Sequence, residues 1–309
     1  MSRIHEALKK AAQERSSQVA TSTIPDLPDV AASPESPSGD KIQAGKPNAG
    51  SACISESSSF LSFDDLLRRC THRDWHLDPQ MNVFLQADDG RVATERFRTL
   101  RSRLYQIAAT RPLKRVLVTS SVPAEGKTTV AANLAHSIMR QPERRVLLID
   151  ADLRSSRLHQ LFGAPSGPGL TEYLRGEADK CEVIQNGLEG NLCFIPGGST
   201  VSNPSELLLS ERMKKLLDLV TPFFDWIILD SPPALAVHDA SSLADLCDGV
   251  LFVVKAGRTD HRLAEKASSE FLKKNLLGVV LNSAEKDESY GDYYSGYAIA
   301  DGEDLDKKK

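Results

Sequence analysis

Arg115-Val-Leu-Val-Thr-Ser-Ser-Val-Pro-Ala-Glu-Gly-Lys-Thr-Thr-Val-Ala-Ala-Asn-Leu-Ala135 is the stretch from which the fold can be read. Arg115 to Ser120 is an apolar, β-branched run, the signature of a buried strand. From Lys127 onward the Ala- and Leu-rich pattern predicts a helix. Between them lies Ser121-Val-Pro-Ala-Glu-Gly-Lys-Thr-Thr129. Gly126 lets the backbone turn tightly, so that successive amide N–H groups can face phosphate oxygens, and the helix N-terminus adds its partial positive charge. In such a loop Lys127 reaches terminal phosphates and Thr128 offers a hydroxyl to Mg²⁺. The loop residues that would meet a nucleotide are thus Ser121, Ala124, Glu125, Gly126, Lys127, Thr128 and Thr129. The usual pattern opens with glycine, and Ser121 stands in that place.

Two further apolar runs end in acids: Val146-Leu-Leu-Ile-Asp-Ala-Asp-Leu-Arg154 and Trp226-Ile-Ile-Leu-Asp-Ser-Pro-Pro233. One aspartate at a strand end is most simply a helix cap. Three of them, Asp150, Asp152 and Asp230, beside one phosphate loop point instead to a metal site, because Mg²⁺ takes oxygen ligands and keeps several waters. One of the three can also accept a proton from an attacking hydroxyl, and Asp150 is the expected base.

Outward from these motifs, apolar runs recur at Arg145 to Asp150, Leu192 to Pro196, Trp226 to Asp230, Val250 to Lys255 and Leu277 to Asn282, mostly separated by helical stretches. Strands apolar along their whole length predict a mostly parallel sheet with helices on both faces. Ligands of such sheets sit at the carboxyl ends of the strands, where all three motifs fall. A helix is expected from about Arg91 to Ala109. The domain is placed at 87–285.

Before it, 16–86 is expected to be mostly a disordered linker, rich in Ser, Pro, Ala, Gly and Asp, with a short helix at Phe63 to Cys70 whose role the sequence does not reveal. Residues 1–15 carry Ile4, Ala7, Leu8, Ala11 and Ala12 on one face of an amphipathic helix; a fraying terminus and a docking peptide both fit it. After the domain, 286–309 is an acidic tail with Tyr290, Tyr293, Tyr294 and Tyr297, four of the six tyrosines. From Glu285 to Lys309 eight acidic side chains face four lysines, which equals the whole chain's net charge of -4.

With 309 residues, 40% hydrophobic and 26% charged, the composition is that of an ordinary soluble protein. No global basic field exists to recruit nucleic acid. The five cysteines are scattered, without C-x-x-C or zinc spacing, as suits reduced thiols in the cytoplasm. No apolar run approaches the roughly 18 residues of a spanning helix, and the N-terminus lacks a secretory core, so contact with a membrane is expected to come through a partner. His136, His159 and His238 are expected at surface or capping positions, and Trp75 and Trp226 in packing.

The phosphate loop, Asp150-x-Asp152-x-Arg154 and Asp230-x-Pro232 resemble the motifs of the bacterial tyrosine kinases of capsule and exopolysaccharide synthesis. The likeness runs from Ala87 to Tyr297 and takes in Asn203-Pro-Ser-Glu-Leu-Leu-Leu209 and Gly278-Val-Val-Leu-Asn282. It implies a P-loop NTPase fold, ATP and Mg²⁺ as cofactors, Asn282 near the adenine, and Lys127, Asp150, Asp152 and Asp230 as the catalytic group. It also implies a homo-oligomeric ring through Glu95-x-x-Arg98-x-x-Arg101, although three charges on one helical face can equally form a solvated stripe. The tail tyrosines are then the sites that one subunit phosphorylates on its neighbour. A membrane-embedded polysaccharide chain-length protein as activator and an opposing tyrosine phosphatase complete the implied system, at the inner face of the plasma membrane. Ala124 departs from the family's glycine; an alanine calls for negative φ, which makes the loop less permissive. Two other readings share the nucleotide site: a partitioning or positioning ATPase, opposed by Val122 where those proteins carry a signature lysine, and a nucleotide-dependent scaffold.

Overall fold

The computed structural model describes residues 62–86, 90–187 and 191–284. The expected N-terminal helix, Cys53, the linker up to 61 and the tyrosine cluster lie outside these residues. The strands are β1 (Thr71–His72), β2 (Arg115–Ser120), β3 (Val146–Asp150), β4 (Gln185–Asn186), β5 (Leu192–Ile195), β6 (Trp226–Asp230), β7 (Gly249–Lys255) and β8 (Leu276–Asn282). The helices are α1 (Phe63–Arg69), α2 (Gly90–Ala108), α3 (Lys127–Met139), α4 (Leu158–Phe162), α5 (Leu170–Arg175), α6 (Lys180–Val183), α7 (Pro204–Leu208), α8 (Glu211–Val220), α9 (Asp239–Ala244) and α10 (His261–Phe271).

The strands form one sheet in the order β1-β4-β5-β3-β6-β2-β7-β8. All pairs are parallel except β4 with β5. Alternation along each strand explains why the runs are apolar throughout. Val116 and Val118 join the layer with Trp75, α2, α3 and α4, while Leu117 faces the layer of α8, α9 and α10. Leu148 and Ile149, or Ile228 and Leu229, divide in the same way. Both faces are buried, so a period-2 pattern never shows.

The N-terminal boundary is corrected. Residues 62–86, expected in the linker, belong to the folded body. Ser62 caps α1 by accepting from the Asp65 amide, and α1 buries Phe63 and Leu66. Phe63 meets Phe224 edge-on with ring centroids 5.5 Å apart, and the Arg145 guanidinium lies 4.4 Å from the Phe63 centroid. Chain after α1 adds β1 to the sheet edge, and Trp75 packs edge-on to Phe162 and Phe194. Each such buried side chain contributes roughly 1.5–3 kcal/mol, which composition averaged over a polar segment hides. The two-residue strands β1 and β4 were not expected, being too short for any periodicity to register.

Among the described residues no helix is long and apolar enough to cross a membrane.

Candidate functional site

Strands β3, β6 and β2 are adjacent at the centre of the sheet, so the loops at their carboxyl ends converge. Asp150 and Asp230 are register partners at the last pair of β3 and β6. The loop after β2 closes onto α3 through Gly126, whose φ is 89°. A Cβ there would meet Asn282 Nδ2, the end of a side chain that can turn aside, so it is the conformation that demands glycine. Asn282 Nδ2 itself donates to the Glu125 carbonyl at 2.9 Å, which brings the end of β8 against the loop.

Ala124 is also left-handed, with φ 66°. The expectation of negative φ is therefore overturned. The loop keeps the geometry that glycine favours and an alanine bears the steric cost. Glu125 is buried, and its carboxylate accepts from the Val122 amide at 2.7 Å and from Thr259 Oγ1 at 2.6 Å. Its side chain is thus a brace within the loop, leaving only its backbone to face a ligand. Ser121 is fully buried and its hydroxyl has no hydrogen-bond partner.

Lys127 donates to Asp152 Oδ2 at 2.8 Å and to Thr128 Oγ1 at 3.2 Å, and stands 3.5 Å from Asp230 Oδ1. Thr128 Oγ1 donates to Asp230 Oδ2 at 2.7 Å. Asp230 Oδ1 has this ion pair but no hydrogen bond, although it is buried. Burial pulls the Lys127 ammonium towards a lower pKa; Asp230 and Asp152 outweigh it, and the net shift is upward. Burial and the neighbouring Asp230 push Asp150 up to about 7. Burial raises Asp230 to about 6 against the lowering effect of Lys127.

Asp150 also has a structural task. Its Oδ2 accepts from Ser156 Oγ at 2.7 Å and from the amides of Arg157 and Leu158 at 3.1 Å each, capping the first turn of α4. Its Oδ1 accepts from the Asp152 amide at 3.2 Å. Arg154 is held by Asp239 at 2.9 Å and by Ser205 at 2.9 Å, which places the Asn203–Leu209 motif beside the second acidic motif.

The residues fit a triphosphate with Mg²⁺. They offer a left-handed glycine turn into a helix N-terminus, a lysine and a threonine hydroxyl. They also offer a buried carboxylate oxygen without a hydrogen bond. No group of three His, Cys, Asp or Glu side chains at metal spacing occurs among the described residues. Mg²⁺ does not need one, since it draws on hydroxyl, water and phosphate oxygens.

Glu95 and Arg98 form an exposed ion pair on α2. Arg101 takes no part in that pair; its Nη1 donates to the Ser137 carbonyl near the end of α3. His136 is corrected from a surface position to the core. Its ring stacks on Phe84 at 4.9 Å, its Nδ1 meets Asn82 Nδ2 at 3.1 Å, and burial lowers its pKa to about 4. Asn133, which the motif reading missed, donates to the carbonyls of Met81 and Thr129 and accepts from the Val83 amide. It fastens the 78–86 segment to the phosphate-loop helix. Thr259 and Asp239 were missed as well; each acts through a contact more than 80 residues away in sequence, which no local pattern records.

Comparison with known proteins agrees with this geometry. A family profile described as AAA domain matches residues 123–261. Tyrosine-protein kinase YwqD of Bacillus subtilis is 36% identical over 218 residues, covering 69% of this chain and 92% of the relative. Tyrosine-protein kinase CpsD of Streptococcus agalactiae is 37% identical over 184 residues, covering 58% of this chain and 80% of the relative. The solved kinase domain of Escherichia coli tyrosine kinase ETK superposes with a TM-score of 0.61 at 33% identity, covering 65% of this chain and 80% of that one. A nucleotide loop, three converging aspartates and relatives covered over most of their length together show that the chain belongs to the bacterial tyrosine-protein kinases and is a phosphotransferase.

Proposed function

We propose that this kinase transfers the γ-phosphoryl group of ATP, with Mg²⁺, to Tyr290, Tyr293, Tyr294 and Tyr297 of a neighbouring copy in a homo-oligomeric ring. The observation that carries the reading is the convergence of Lys127, Thr128, Asp150, Asp152 and Asp230 at the carboxyl end of the central strands. Loop amides and Lys127 bind and orient the phosphates, Lys127 exchanging its bond to Asp152 for phosphate oxygen. Thr128, Asp152 and Asp230 would hold the ion, which when bound supplies neutralisation of charge on the transferred group. Tyrosine oxygen bonds to the γ-phosphorus as the bond to the β-phosphate bridging oxygen breaks, and ADP leaves. Asp150 takes the phenolic proton; a carboxylate held near neutrality suits that role.

Glu95, Arg98 and Arg101 are proposed as ring contacts, Arg101 by securing α2 to α3. By the resemblance of its motifs to the capsule and exopolysaccharide kinases, the protein serves exopolysaccharide or capsule production. It would work on the cytoplasmic face of the plasma membrane under a membrane-embedded activator, with a tyrosine phosphatase resetting the tail.

Incubation of the full chain with Mg-ATP, followed by mass spectrometry, should place phosphate on the four tail tyrosines. The initial rate per molecule should rise with protein concentration, as transfer between copies requires. Lys127→Met should lower it roughly 100- to 1,000-fold. Phosphate released as inorganic phosphate, with the tyrosines unmodified, would reject the tail as acceptor.

A further inference from the structure

Parallel sheets are covered on both faces, and one strand here breaks that rule. β8 is the edge strand, hydrogen-bonded only to β7. Leu277 and Val280 pack with the layer that contains α3, which leaves Val279 and Leu281 on the opposite face, the one carrying α10. That helix packs on β7, with Phe271 5.9 Å from Phe252, and leaves Val279 and Leu281 of β8 uncovered. Val279 is 52% exposed and Leu281 65%, while Leu263 and Leu272 at the two ends of α10 are 43% and 69% exposed. Val279 and Leu281 therefore form an exposed apolar strip on the face that carries α10.

We infer that the tyrosine-bearing part of the chain's own tail covers this strip, docking on the same copy as a short helix. Continuity places it there: the described chain ends at residue 284, directly after β8, and Ser283 takes a left-handed turn with φ 57°. Spacing fits the occupant: Tyr290, Tyr293, Tyr294 and Tyr297 stand at i, i+3, i+4 and i+7, one face of a helix. As an added strand the same four would split between two faces. Reach is sufficient, since the chain between Ala284 and Tyr290 spans up to about 20 Å when extended, about the length of β8. Charge agrees as well. Lys255, Arg258 and Arg262 stand with Asp260 at the carboxyl end of the sheet, and the sequence after Ala284 begins with three acids and one lysine, Glu285, Lys286, Asp287 and Glu288. Gly291 and Gly296 make such a helix marginal by itself, so the apolar strip would be what forms it. Under the proposed function, on which this last consequence rests, docked tyrosines are withheld from a neighbour's site, and undocking precedes transfer.

Hydrogen exchange on the full chain without nucleotide tests the docking independently of any phosphoryl transfer. Amides of 289–298 should exchange at least roughly tenfold more slowly than in an unstructured peptide of the same sequence. Val279→Ser with Leu281→Ser should remove that protection while amides of β2, β3 and β6 remain as slow as before. Should the double variant fail to fold, Leu272→Ser is read in the same way. Tail amides exchanging at the free-peptide rate in the unaltered chain would overturn the inference. So would protection that grows with protein concentration, which would assign the strip to a second copy.

Discussion

At the scale of single residues, two backbone positions and one lysine decide what the loop can do. Gly126 and Ala124 both adopt positive φ, but only the glycine does so without steric cost. Ala124→Gly should therefore stabilise the protein by about 1 kcal/mol, the strain less the added chain entropy of glycine. The same change should tighten ADP binding severalfold, because the loop no longer resists its bound shape. Paired thermal melts and calorimetric titrations would check this, and unchanged values in both would show that the loop carries no strain at 124. Lys127 neutralises Asp152 and Asp230 inside the protein, so one side chain serves both stability and phosphate binding. A motif reading assigns it only the second role. Likewise the sequence marks Asp150 as an acid of the site, but its cap on α4 appears only with Ser156, Arg157 and Leu158 folded around it.

Among elements, the segment preceding α2 is where stability and the site meet. Leu66 is fully buried against the face that carries α8. Leu66→Ala should cost about 2–5 kcal/mol, the range for a leucine removed from a packed interior. Urea titration of the full chain would measure it; a cost below 1 kcal/mol would return 62–86 to the status of linker. The 78–86 segment is tied to α3 through Asn82, Asn133 and His136. His136 is held neutral, with its pKa depressed below the unfolded value of about 6.5 to about 4. The unfolded chain then binds the proton that the folded chain refuses. The associated stability is present above pH 6.5 and is lost as pH falls towards 4, amounting to roughly 2 kcal/mol by pH 5. Asp150 and Asp230, whose pKa values are raised, act in the opposite sense over this range in both chains, so the check is the difference: between pH 7 and pH 5 the urea midpoint of the unaltered chain should fall relative to that of His136→Gln. Equal changes in both chains would mean that other groups account for the slope.

For the whole molecule, the proposed ring and its tail bring charge into assembly. Each tyrosine phosphate adds roughly -1.5 to -2 charges to a tail that already holds eight acids against four lysines. Several phosphates on adjoining copies should repel and loosen the packing of subunits. Sedimentation before and after full phosphorylation should show a shift to smaller species, weaker at high salt because exposed charges are screened. An oligomer whose mass stays constant would rule out a cycle of assembly and release driven by the tail.

From the chain's order alone came the layered α/β architecture, the central strands and the identity of the acids and lysine at their ends. Those features are local: a buried strand, a glycine turn and a helix start are each written in a few consecutive residues, and strand ends of a parallel sheet converge by geometry. What needed the folded molecule was everything joined across distance. Thr259 braces Glu125, Asp239 holds Arg154, Asn282 fills the space beside Gly126 and His136 pins the 78–86 segment. The left-handed turn at Ala124 and the packing of 62–86 into the folded body belong to the same group. In each, the deciding energy is a contact between residues far apart in sequence, and neither propensity nor periodicity carries information about such a partner.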